Sequence, residues 1–232
     1  MGWYNSYMRN FERHEDTNRA TSKDELELVD CAFRRYDEEL KGYEREEAAK
    51  ACERIDEDDL LIAPDKFNIA GTLAGIKPVS AFDFYVSIEG EEDDLESALK
   101  DLGIYFTKES HASSHDPSMT HISYHIALDK NLLDEYEAES AAAPTTDEAI
   151  RVDGKYFGFP QTAIDYFVER ANSDKNEDLS DQESYYMMIH SPEHAEEEFQ
   201  QFEVPIMAAM QEYFPHSAEG LRDFTDWPED SN

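Results

Sequence analysis

Apolar residues recur along this chain with two different periods. Leu26, Val29, Phe33, Tyr36, Leu40 and Tyr43 step by three and four residues, which puts them on one stripe of a helix. Ser22-Lys23-Asp24-Glu25 forms a capping box in front of that stripe. The pattern slips at Glu47 and resumes at Ala48, Ala51, Cys52 and Ile55, so an unbroken amphipathic helix over 22–55 is predicted. Trp3, Tyr4, Tyr7 and Phe11 share the helical spacing and predict a short helix ahead of it. Asp56–Asp59 ends this region, and Leu60–Pro78 carries no clean period.

From Ser80 the period becomes two. Phe82, Phe84, Val86 and Ile88 alternate with Ala81, Asp83, Tyr85 and Ser87, the pattern of a half-buried strand. Glu91–Leu102 reads as a helix closed by Gly103, and Ile104–Lys108 as a second strand. Residues 110–120 read as a polar loop. In a third strand Ile122, Tyr124, Ile126 and Leu128 alternate with His121, Ser123, His125 and Ala127. Helices are predicted over Lys130–Ala141, stopped by Pro144, and over Pro160–Arg170, which Pro160 opens. A fourth strand follows over Tyr185–His190, then a last helix from Pro192, interrupted near Pro205 and stopped at Pro215.

This order fits an α+β fold with a ferredoxin-like (split β-α-β) antiparallel sheet and helices on one face. That domain spans 60–216. A helical region over 1–59 precedes it, and an acidic C-terminal tail over 217–232 follows it.

Charge changes the picture. The chain of 232 residues holds 55 acidic and 20 basic residues, a net charge of −35. Such a surface excludes conventional nucleic-acid binding, which needs a basic footprint, and argues against anionic membranes. The uncharged apolar run Phe67–Ile76 is far short of the ~20 apolar residues that span a bilayer. Met1–Phe11 has no apolar signal core, so a cytoplasmic location is expected. Dense like charge opposes compaction where the Debye length is roughly 8–10 Å, and much less so at about 3 Å in molar salt. Acidic, lysine-poor and still aromatic-rich, the composition resembles that of proteins from extremely halophilic archaea. A nucleic-acid mimic would need its carboxylates in two rows on one face, whereas here they are spread over nearly every segment.

Residues 1–54 are the exception, with 10 basic and 14 acidic residues. A near-neutral arm bearing the stripe Leu26, Val29, Phe33, Tyr36, Leu40 and Tyr43 is the part best suited to self-association. Cys31 and Cys52 do not form a disulfide framework. On one unbroken helix they lie roughly 30 Å apart, so both are expected as reduced thiols.

If the topology holds, the first and third strands are neighbours. Their polar faces then place Asp83 and Tyr85 beside His121, Ser123 and His125, a candidate surface for ligand binding or acid–base work. Tyr105 and one of Tyr185 and Tyr186 are candidates to join it. His111, His115 and His121 are weak metal candidates. His121 and His125 on one straight strand are about 13 Å apart and cannot share an ion, and no His-Glu-x-x-His or paired-Cys motif supports a metal site. There is no nucleophile elbow, dinucleotide fingerprint or phosphate loop.

The most distinctive stretch runs from Gly154-Lys155 through Gly158-Phe159-Pro160 into a helix with Ala163, Ile164 and Phe167 facing inward. It resembles a motif of an uncharacterised, largely archaeal family of unknown function. The Gly75-Ile76-Lys77-Pro78 step supports the same resemblance, which covers roughly residues 60–200. The family has no assigned activity, so the resemblance implies no reaction, cofactor or catalytic residue. The expectation from sequence is a non-catalytic interaction or ligand-binding protein. The alternative is an enzyme using the Asp/Tyr/His sheet face, with or without a metal.

Overall fold

Ala48, Ala51, Cys52 and Ile55 are all buried, and they are the inward stripe of the first helix described, α1 (Gly42–Asp56). A computed structural model describes residues 42–88, 90–113, 116, 118–171, 191 and 193–219. Leu26, Val29, Phe33, Tyr36, Leu40 and Cys31 lie outside these residues, and Tyr43 is described only as backbone of α1. Cys52 is a free, buried thiol.

Leu60–Pro78, aperiodic in sequence, contains helix α2 (Ala63–Leu73). Every residue from Asp65 to Leu73 is buried. A helix covered on all sides shows no amphipathic stripe, which is why its period is hidden. Pro64 in its first turn marks the start, and the Asp65 carboxylate accepts the Ile62 N–H at 3.0 Å.

The sheet follows. Strand β1 (Ser80–Val86) leads to helix α3 (Asp93–Asp101), then to β2 (Tyr105–Ala112) and β3 (Thr120–Ala127). The order is β1-β3-β2, with both pairings antiparallel. Phe82, Phe84 and Val86 of β1 and Ile122, Tyr124 and Ile126 of β3 enter one core with the apolar sides of α1, α2 and α3. Tyr124 stacks between Phe82 and Phe84, at ring centroids 5.2 and 5.8 Å. The second strand is longer than expected, taking His111 and Ala112 out of the anticipated loop. The expected fourth strand, Tyr185–His190, lies outside the described residues.

Beyond the sheet come α4 (Lys130–Ala142), α5 (Thr146–Tyr156), α6 (Gln161–Ala171), the short α7 (Ala195–Glu198), a π-helical turn over Phe199–Glu203 and α8 (Val204–Tyr213). Helix α5 was not expected, although Thr145 and Glu148 signal it: the Thr145 hydroxyl caps the Glu148 N–H. The interruption expected near Pro205 is the π-helical turn over Phe199–Glu203, and Pro205 lies in the first turn of α8. The wide turn just before it absorbs the missing N–H, and the chain continues helical to Tyr213.

One expectation is corrected. The helices do not keep to one face of the sheet. Leu133 and Tyr136 of α4 form a second small core with Val79, Ala127 and Tyr156, on the face opposite α3. Helix α4 covers only the Ala127 end of that face. Among the described residues the molecule is therefore α+β, with a small antiparallel sheet and a majority of helix. No described helix is long and apolar enough to cross a membrane.

Candidate functional site

Antiparallel register aligns the odd-numbered residues of the three strands in rows. Tyr85, His121 and His111 form one row. Asp83, Ser123 and Glu109 form the next, and Ala81, His125 and Thr107 the third. Since α4 stops at the third row, the first two face outward. Tyr85 is 48% exposed and tilts over the His121 ring at a centroid distance of 4.8 Å.

Within the open rows the polar groups bond to each other. His121 Nε2 lies 2.6 Å from an Asp83 carboxylate oxygen, and His121 Nδ1 lies 3.1 Å from His111 Nε2. The carboxylate accepts, so Nε2 carries the hydrogen on His121. In the neutral ring Nδ1 then accepts from His111 Nε2–H, which leaves His111 Nδ1 as the terminal basic nitrogen of the chain. A proton taken up there can be balanced by moving the His111 Nε2 hydrogen to His121, whose imidazolium sits against Asp83.

Behind this chain lies Asp65, 1% exposed. Burial raises its carboxyl to about 7, and the Asp83 charge adds to the rise. One of its oxygens is buried with no hydrogen-bond partner among the described residues.

His125 belongs to a separate cluster under α4. Its Nδ1 lies 2.7 Å from a Glu137 oxygen that also accepts from Thr107 Oγ1 at 2.6 Å. Its Nε2 faces the Tyr136 hydroxyl at 3.5 Å, and that hydroxyl donates to Asp153 at 3.1 Å. Burial raises both the Tyr136 phenol and the Asp153 carboxyl above their ordinary values.

The structure thus joins Asp83, Tyr85, His121 and His111, and keeps Ser123 beside them in the second row. It separates His125, as the strand spacing requires. Tyr105 sits at the far end of β2, opposite Ala127, and does not join the site. Tyr185, Tyr186 and His115 lie outside the described residues. No group of three or more ligating side chains suited to a metal gathers among the described residues. Asp65, Glu137, Tyr136 and Asp153 were missed. Only Asp65 carried a signal, an acid at the third helical position behind Pro64.

The fold and site define a small α+β protein with a half-open polar sheet face. Compared with known proteins, the chain matches no family model, no curated protein and no solved structure.

Proposed function

We propose that this is a non-catalytic ligand-binding protein of the cytoplasm of an extreme halophile, and that the open rows of the sheet are its binding surface. The observation that carries this reading is the bonded chain Asp83–His121–His111 beneath a half-exposed Tyr85 ring. Side chains that fix one another's orientation lose little freedom when a ligand arrives, and a partly exposed aromatic ring supplies contact area. The strand order supports reading the sheet as the first three strands of a split β-α-β fold. The apolar stripe from Leu26 to Tyr43 adds self-association. Light scattering in molar KCl is expected to give a mass above the 26.8 kDa of one chain, and a monomer at every concentration would remove that part.

Histidine-ring NMR in molar KCl, with a set of small polar fragments added, tests the binding surface. Saturable shifts at His111 and His121 that vanish in His121→Ala are expected. Shifts confined to other residues, or none at all, would contradict it. The hydrogen-bonded link from His111 to His121, which Asp83 orients, favours a second reading, an enzyme using general acid–base chemistry on the same face. Turnover of an activated ester that disappears in His111→Gln would decide for the enzyme.

A further inference from the structure

Two glycine-marked stretches singled out in the sequence, 75–78 and 154–160, meet around one buried amine. The Lys77 side chain is 4% exposed. Its stem crosses α2 at Gly71, where a Cβ would come within 2.8 Å of the Lys77 Cδ. Its Nζ donates to Asn68 Oδ1 at 2.6 Å and forms no ion pair among the described residues. Three phenyl rings enclose it: Phe157 at 5.6 Å, Phe159 at 5.3 Å and Phe202 at 5.7 Å from Nζ to ring centroid.

Those rings come from two turns closing over the amine. Gly158 is left-handed (φ 77°) and packs so tightly that a Cβ would lie 2.5 Å from the Ile76 carbonyl oxygen, which lets Phe157 and Phe159 flank the Lys77 stem. Phe202 comes from the π-helical turn, a local irregularity in the last helix. An ammonium has three donors and finds one hydrogen-bond acceptor among the described residues here, and it gives up most of its hydration in this enclosure. The neighbours from each element are the Asn68 amide of α2, the Phe157 and Phe159 rings after α5, and Phe202 with the Glu203 carboxylate in the π-turn. Ile206 of α8 lies against Gly71. Glu203 is the one charged group among them, and its attraction is the weaker influence: burial dominates and lowers the amine to about 7.

We propose that the Phe157–Phe159–Phe202 cap is a proton-operated device: it opens as the Lys77 amine takes up a proton and water, and closes over the neutral amine. In the open state the amine returns to the ordinary lysine range. Opening therefore takes up a proton between pH 7 and 10.5, and becomes harder as pH rises through that window.

Amide hydrogen exchange in molar KCl, corrected for intrinsic rates, tests this. The amides of Phe157, Gly158 and Phe159 are hydrogen-bonded within the cap turn and report its opening. Their protection is expected to rise about tenfold per pH unit from pH 7.5 to 9.5. In Lys77→Met the profile is expected to be flat. Glu203→Gln is expected to start the rise at lower pH, because it removes the charge that favours the ammonium. An equal slope in wild type and Lys77→Met would overturn the proposal. So would the same protection and slope at the core amides of Ile122 and Tyr124, since exchange would then need global unfolding. The Lys77 Cε resonance of the wild-type protein gives an independent reading. A midpoint near 7 supports the device, and titration only near 10.5 overturns it.

Discussion

Two buried ionisable side chains oppose each other in their effect on pH stability. Asp65 is raised to about 7 by burial, so its contribution is fully present below about 3.8 and is lost as pH rises through 7. Lys77, lowered to about 7, contributes the reverse: stability grows from pH 7 toward 10.5. Asp65→Asn keeps an oxygen for the Ile62 N–H and removes the titration. Urea unfolding at fixed molar KCl should show the variant gaining on wild type by about 1.4 kcal/mol per pH unit between pH 4.5 and 6.5, then levelling off. A constant difference across that range would mean that Asp65 stays ionised. Neither behaviour was legible in the sequence. Asp83 and His121 could be placed on one face because strand alternation is a local rule. Asp65 and Lys77 owe their environments to packing between distant segments, which no local pattern encodes. The link between His125 and Glu137 was hidden for the same reason, since it depends on which face α4 chooses.

Elements are tied together here by a few charged side chains as well as by the core. Asp56, at the end of α1, accepts from the N–H groups of His216 and Ser217 at 2.9 Å each and from the Ser217 hydroxyl at 2.6 Å. Its own carbonyl takes the buried Lys66 Nζ at 2.7 Å. The carboxylate thus joins the first described helix to the segment after α8. Asp56→Ala leaves two N–H groups unpaired and should cost about 2–4 kcal/mol, read by the same unfolding assay. A loss below 0.5 kcal/mol would show that water replaces the carboxylate. The strands and most helices could be read from period, caps and prolines. Helix α2 could not, because its apolar residues surround it, and α5 was overlooked although Thr145 and Glu148 form its cap. Near Pro205 the expected interruption takes the form of a π-turn at Phe199–Glu203, after which α8 continues to Tyr213.

Across the whole molecule, exposed carboxylates lie on nearly every element, from Glu46 and Glu47 of α1 to Asp94 of α3, Glu135 of α4 and Glu169 of α6. Among the described residues they are spread over several separate elements, which supports the proposal of a coat adapted to brine, with the open sheet face as the proposed binding surface. On that proposal, a chain at −35 is more stable in its compact state where salt screens its own repulsion. Thermal unfolding followed by circular dichroism, with KCl diluted stepwise from molar to millimolar, tests this most directly. The midpoint should fall steadily with dilution and the fold should be lost at ordinary temperature near the low-salt end. A midpoint that holds constant into salt-free water would contradict the brine adaptation and the division of the surface that rests on it.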